Sequence, residues 1–507
     1  MTKLYQNETK KHLNELSKIL KSSFWLYNSY LLNSLGGFIF WLLISYISGP
    51  DIVGIVSAIF SLANLLSIFL SLGIPIGITK WIGYYLGENK IEKVREIFWS
   101  GFISIIVVFS LFSCIIFLLA SLGFSFKNYA PSMLFFVGLF VILNMNIIMR
   151  SMYIGYMRTF PFFISSFVAQ ILRILVGILL ILWGYGWIGA ALGYLIFYIV
   201  SDFFGIYYTV KWNGYRIKFS VNSIKRIIKT GTPAWIPQLL TMLGNNMAVI
   251  SAFLFVSTSE TGTFYIAFTI GNFIAGFAIS IQQIMLPYLS GLSNGREKIA
   301  WDSLRLSLAL TLPIITSVAI YSSDILGLLG PEYSKAWIQL DIIMFTTLLM
   351  ISTSVVTNLC YAYEKYAYIF WIGFSVSIIR LIFYFILASI WQSIGIAISY
   401  CIGGFIGFFV ALAVSKRIGF NFNVSTQFLI IVSAFIAGIP MGLLLKIFFP
   451  MMWFLSIFVV MLISYLTLIK MGFIRKEDLI TIGKAIIPVR YQKKVSKLIT
   501  PIIDIVF

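Results

Sequence analysis

Fourteen apolar runs, each long enough to cross a bilayer, leave this chain little choice of fold. They cover approximately 24–48, 54–79, 97–122, 132–150, 161–184, 187–209, 232–256, 262–288, 304–329, 337–360, 367–390, 394–415, 425–449 and 451–470. A helix needs about 20 apolar residues to traverse the hydrocarbon core. Within that core only helices and closed barrels satisfy their own backbone groups. Of the 507 residues, 60% are hydrophobic and 10% charged, against about 25% charged in soluble domains. The polar stretches between runs are too short for a sizeable soluble domain. The chain therefore reads as an all-α polytopic membrane protein of about 14 transmembrane helices.

Lysine and arginine orient the helices, because they concentrate in cytoplasmic loops. When the N-terminus and every second loop are assigned to one side, that side holds 31 of the 36 Lys and Arg residues. The other side holds only Lys127 and Lys335, and the runs themselves hold Arg173, Arg380 and Lys446. Both termini are expected to be cytoplasmic, in a multi-pass protein of the plasma membrane. The net charge of +19 thus reflects topology rather than a nucleic-acid partner. The only histidine is His12, in the polar N-terminal segment, so no histidine metal site or proton relay is expected. Cys114, Cys360 and Cys401 lie in apolar runs and read as buried small residues. No short apolar region followed by a cleavage site reads as a signal peptide.

The chain also repeats itself. Shifted by 208 residues, LLNSLG (31–36) falls on LLTMLG (239–244), Asn64 on Asn272, Gly54 on Gly262, Gly87 on Gly295 and Tyr153 on Tyr361. At 207, Arg173 falls on Arg380; at 206, GWIGAALGY (186–194) falls on QSIGIAISY (392–400). Six helices form each copy, an even number, so both copies run the same way through the membrane. Two six-helix lobes related by a pseudo-two-fold axis along the membrane normal follow, with a substrate path between them. The organisation reads as an N-terminal segment (1–23), an N-lobe (24–210), a basic linker (211–231), a C-lobe (232–416), two extra C-terminal helices (425–471) and a basic tail (472–507). The tail is expected to lie on the anionic inner leaflet.

Polar residues three or four apart share a helix face. Ser166, Gln170, Arg173 and Gly177 are spaced 4, 3, 4, as are their mates Gly373, Ser377, Arg380 and Tyr384. An arginine at mid-bilayer costs about 2.5–3.5 kcal/mol on insertion scales, so both should face protein or a wet cavity. Structural pairing and substrate contact are both open for each. Further stripes are Tyr30, Asn33 and Gly37; Gln238, Thr241 and Asn245; Asn64, Ser67 and Ser71; and Asn272, Gly276, Ser280 and Gln283. Small and amide residues on membrane helices also serve plain packing. Asp202, Asp324 and Asp341 are expected at interfaces, and Lys446 is expected to snorkel. Pro233 and Pro237 should bend their helix. No nucleophile constellation, phosphate-cradling glycine loop or metal cluster is apparent, so neither an enzyme nor a cofactor is expected.

Four segments carry a family resemblance: LGIPIGITKWIGYYLGENKIEKVREIF (72–98), IKRIIKTGTPAWIPQLL (224–240), TGTFYIAFTIGNFIAGFAISIQQIMLPYLS (261–290) and LLGPEYSKAWIQL (328–340). Together they resemble the multidrug/oligosaccharidyl-lipid/polysaccharide exporter superfamily, and most closely its Wzx-type, O-antigen-like polysaccharide flippase branch. The resemblance implies a flippase that moves a lipid-linked oligosaccharide from the inner to the outer leaflet by alternating access. Its partners would be that substrate, membrane lipids, H⁺ or Na⁺ as a coupling ion, and glycan-assembly proteins. The substrate-binding candidates are Arg173, Arg380, Asn33, Asn64, Gln238, Thr241, Asn245, Asn272 and Gln283, with Lys80 and Arg158 attracting the phosphate head at the cytoplasmic mouth. The alternatives are a cation-coupled multidrug antiporter of the same superfamily and a non-transporting scaffold of a glycan-synthesis complex. Antiporters of this superfamily commonly place an acid in an early helix, and the first two runs here contain none.

Overall fold

The computed structural model describes the backbone of residues 2–291, 295–476 and 478, and the side chains of these except 2–20, 280–281 and 283–291. The described residues fold into α1 (Thr2–Ser48), α2 (Pro50–Leu70), α3 (Ile74–Gly87), α4 (Ile91–Ser121), α5 (Pro131–Leu143), α6 (Asn146–Gly155), α7 (Phe160–Leu180), α8 (Gly186–Asn213), α9 (Val221–Phe255), α10 (Thr258–Gly291), α11 (Arg296–Ile320), α12 (Ser322–Gly327), α13 (Pro331–Ser334), α14 (Trp337–Ala362), α15 (Tyr366–Arg417), α16 (Val424–Phe448) and α17 (Trp453–Lys470). No strand forms among them; the one pairing outside helices is a bridge between Phe126 and Tyr129. Proline occupies the first turn of α2, α5 and α7, where its fixed φ suits a helix start.

Among the described residues, twelve helical stretches are long and apolar enough to cross a membrane. Two of them, Phe160–Asn213 and Tyr366–Arg417, span 54 and 52 residues, about twice what a bilayer requires. Each breaks near its middle and doubles back, so the twelve stretches supply the fourteen crossings expected. The first break holds Gly184 (φ 88°, ψ 9°) and Gly186 (φ 51°, ψ −131°); the second holds Gln392 (φ 51°, ψ −134°). Across the first, Gly177 of α7 and Gly193 of α8 touch backbone to backbone. Across the second, Arg380 Nε donates to the Tyr400 carbonyl at 3.2 Å.

Contacts divide the chain into two compact units. The first runs to Ile266 and takes in Tyr384–Ser393; the second holds the rest from Ala267 onward. Contact groups α9 and the start of α10 with the first unit, whereas the repeat assigns them to the C-lobe. The lobe boundaries at 24–210 and 232–416 stay a proposal.

In the first unit, two membrane helices are interrupted. The run at 54–79 breaks between α2 and α3, where Leu72 (φ 49°) and Gly73 (φ 79°) turn the chain. A side chain at Gly73 would strike the Gly231 carbonyl carbon at 2.6 Å. A second interruption separates α5 from α6 at Asn144 and Met145. Ala58, Tyr129 and Phe253 form a buried cluster, with the Tyr129 hydroxyl donating to the Ala58 carbonyl at 3.2 Å. Pro233 and Pro237 both lie inside α9, which continues through them.

In the second unit, α16 and α17 pack firmly on α11. Gly438 sits against Ser464 and Thr316, and Gly442 against Ile320; such small residues let membrane helices approach closely. The Tyr465 hydroxyl donates to the Leu310 carbonyl at 2.7 Å. Arg305 grips the Asp478 carboxylate through both terminal nitrogens, at 2.8 and 3.0 Å. Burial pushes the Asp478 carboxyl up, but Arg305 and the Arg475 backbone outweigh it and hold it below the ordinary range. The remainder of the expected basic tail lies outside the described residues.

Lys446 pairs with Asp324 at 2.9 Å and donates to the Ile320 carbonyl at 3.0 Å, closing the end of α11. Asp202 is packed inside the protein, with only 7% of its surface exposed. One expectation needs correction. Cys114 is exposed on α4, because its helix turns that face outward.

Candidate substrate-binding site

The two polar stripes read on the first and fifth runs meet face to face in the first unit. Asn33 of α1 donates to the Ser166 hydroxyl of α7 at 3.3 Å, and Gln170 Nε2 donates to Asn33 Oδ1 at 3.0 Å. Gly36 makes this possible: a Cβ there would lie 2.7 Å from Gln170 Cδ. One turn further, Gly37 leaves room for Arg173, whose Nη2 would be 3.6 Å from an added Cβ.

Arg173 is 2% exposed and sits among aromatic rings. Its guanidinium carbon lies 4.8 Å from the Phe40 centroid, 4.9 Å from Tyr194 and 5.5 Å from Phe197. Its Nε and Nη2 are buried without a hydrogen-bond partner among the described residues. Arg380, its repeat mate in the second unit, is equally buried but satisfied. Besides the Tyr400 carbonyl it stacks 3.6 Å from the Tyr400 ring centroid and reaches Met350 sulfur at 3.9 Å. Gly403 packs on its side chain. Arg380 is therefore a brace between the two arms of α15. Arg173 is a guanidinium held by ring faces, with donors to spare.

A cavity of about 360 Å³ opens beside this array within the first unit. Both helix interruptions feed it. Ser71 and Gly73 line it from the break after α2, and Asn144 and Asn146 from the break before α6. Asn64 and Gln238 add two more amides, and Phe197 and Tyr198 an aromatic wall. Among the described residues one guanidinium lines it, that of Arg150, and no carboxylate does. Arg150 donates to the Tyr30 hydroxyl and lies 4.6 Å from the Tyr30 ring centroid. Tyr30 heads the α1 stripe that continues to Asn33, and Phe197 backs onto Arg173. Arg150 thus ties the cavity to the α1 stripe at Tyr30, and Asn33 on that stripe bonds Gln170, one turn before Arg173 on α7.

The other candidates are scattered. Thr241 turns its hydroxyl to the Pro237 carbonyl of its own helix at 3.1 Å. Asn245 keeps a buried Oδ1 without a partner among the described residues. Asn272, in the second unit, donates to the Phe268 carbonyl at 2.8 Å. The Gln283 side chain lies outside the described residues. Lys80 is exposed on α3 and lines neither this cavity nor the hollow that holds Arg158. Arg150, Asn144 and Asn146 were missed by the sequence reading. The signal was present in NMNIIMR, two amides with an arginine four residues after the second, at the end of an apolar run.

Residues 19–293 match the family described as "Polysaccharide biosynthesis protein", which is more than half the chain. The protein belongs to this polysaccharide biosynthesis family. No curated protein matches the sequence. Among solved structures, the fold is similar to "Lipid II flippase MurJ, inward closed conformation", at TM-score 0.68 and 17% identity over 87% of this chain and 97% of that one. It is also similar to the inward-facing conformation of a multidrug resistance MATE family transporter of the MOP superfamily, at TM-score 0.62 and 15% identity over 76% and 94%. This member of the polysaccharide biosynthesis family therefore has the helical fold of the exporter superfamily and is a multi-pass membrane protein.

Proposed function

We propose that the protein is a flippase that carries a lipid-linked oligosaccharide from the inner to the outer leaflet of the plasma membrane by alternating access between two lobes, with both termini cytoplasmic. The observation that carries this reading is the cavity at the helix breaks. Four amides suit the hydroxyls of a neutral sugar, and the single guanidinium of Arg150 suits a phosphate oxygen. Family membership supports a glycan substrate. The absence of a carboxylate from the cavity lining tells against a site for organic cations. Arg173 and Asn33 support the cavity wall, and Arg380 braces the corresponding hairpin of the other repeat. Coupling to H⁺ or Na⁺ and association with glycan-assembly proteins belong to the same proposal.

Depleting the protein and analysing membrane lipids tests it. A lipid-linked glycan should accumulate on the inner leaflet only. Altered drug efflux with no such accumulation would favour the antiporter instead.

A further inference from the structure

A second hollow, of about 270 Å³, lies in the first unit and shares no lining residue with the amide-lined cavity. Lys21, Trp25, Arg158, Phe160 and Trp212 line it. They come from three places where the chain meets the same membrane surface: the start of the stretch Lys21–Ser48, the link between Pro131–Gly155 and Phe160–Asn213, and the end of the latter. That surface carries nearly all the Lys and Arg of the chain. Tryptophan favours this depth, where its ring is apolar and its edge is wet.

The hollow is built rather than incidental. Arg158 is presented by a fixed turn: Met157 adopts φ 52°, and the Arg158 amide donates back to the Tyr153 carbonyl at 3.0 Å. The Thr159 hydroxyl donates to the Ser22 carbonyl at 2.6 Å, pinning α1 to this turn. The Arg158 guanidinium lies 5.4 Å from the Trp212 ring centroid. Trp25 packs against Phe160 and Phe163 at 4.7 and 5.0 Å. The N-terminus of α7 opens at the same place and adds its partial positive charge. Lys21 and Arg158 converge here, and among the described residues no acid lines the hollow and neither cation pairs with a carboxylate. Two cations that no described carboxylate neutralises suit an anion. Indole walls at the membrane boundary call for that anion to carry an apolar tail.

We propose that this hollow seats the phosphate of a membrane-anchored lipid, with Lys21 and Arg158 on the phosphate and Trp25 and Trp212 against the first carbons of the tail. Anionic phospholipids and the polyprenyl phosphate class both present this chemistry. The site does not depend on the export reading, since it is separate from the amide-lined cavity.

The test is lipid retention by the full chain, read by native mass spectrometry after reconstitution in phosphatidylcholine doped with either phosphatidylglycerol or a polyprenyl phosphate. Both doped lipids should be retained over phosphatidylcholine, and whichever is held more tightly identifies the source. The double variant Lys21→Gln/Arg158→Gln should lose roughly thirtyfold in retention. The charge-preserving Lys21→Arg/Arg158→Lys should keep most of it. If the Gln variant does not fold, salt serves on the wild-type protein, because retention by two cations should fall as ionic strength rises. Equal retention of phosphatidylcholine, undiminished retention by the Gln variant, or retention indifferent to salt would each overturn the proposal.

Discussion

Removing the guanidinium of Arg380 would strip the Tyr400 carbonyl of a buried donor and the Tyr400 ring of a cation 3.6 Å from its centroid. That carbonyl keeps its own helical partner, so the loss is one charge-assisted hydrogen bond, about 1.5–3 kcal/mol, and the lost stacking about 1–2 more. Arg380→Met should therefore lower the melting temperature of the purified protein and its abundance in the membrane. Arg173→Met gives up ring contacts as well, but its Nε and Nη2 make no hydrogen bonds among the described residues, so it should cost less stability than Arg380→Met. It should abolish export. An Arg173→Met protein that exports glycan at the wild-type rate would remove Arg173 from the mechanism. The 4-3-4 spacing placed both arginines on protein-facing stripes, but it could not separate them. The acceptor that distinguishes Arg380 is a backbone carbonyl twenty residues away on the other arm of its helix, and backbone carbonyls leave no mark in a sequence. Arg150 was hidden differently. At the edge of an apolar run it reads as one more topological charge, until the break at Asn144 and Met145 turns it towards the cavity.

At the level of elements, the two hairpin turns show how far the repeat extends. Gly186 and Gln392 are mates at the 206-residue shift, and their backbone angles agree within a few degrees, φ 51° with ψ −131° and φ 51° with ψ −134°. Glycine adopts this conformation freely; in glutamine it stores about 1–3 kcal/mol of strain. The turn at Gln392 is held by Glu260, which accepts from the Ser393 amide and hydroxyl. Gln392→Gly should therefore raise thermal stability by about 1 kcal/mol or more, measured on purified protein; an unchanged or lower melting temperature would mean the strain is relieved elsewhere. The first turn was legible, since WGYG carries two glycines. The second was legible only as the gap between the runs 367–390 and 394–415, because WQS has no glycine to mark the positive φ at Gln392. The breaks after α2 and α5 fell inside apolar runs and were not read as breaks, although Gly73 followed by Pro75 and Asn144 stand at them; at the first, Gly73 also packs on the Gly231 backbone. A further pair of mates, Gly54 and Gly262, pack backbone to backbone within the first unit.

Over the whole molecule, the fold class was the most legible feature, because bilayer thickness sets run length and the cost of unpaired backbone sets helix. The crossings and the family resemblance followed from apolar runs and a few proline- and glycine-marked segments. The site was less legible. It is assembled from helix ends and breaks rather than from a motif with fixed spacing, and half of its amides come from a run read only as a span. The account's central claim is that this cavity carries a lipid-linked glycan across the membrane. The most direct measurement is translocation in liposomes containing only this protein and a fluorescent lipid-linked oligosaccharide, with the label on the outer leaflet followed by an impermeant quencher. The account predicts that wild-type protein equilibrates the glycan between leaflets faster than empty liposomes, and that Arg150→Gln in a protein of unchanged melting temperature loses this acceleration. Wild-type liposomes that equilibrate the glycan no faster than empty ones would contradict it.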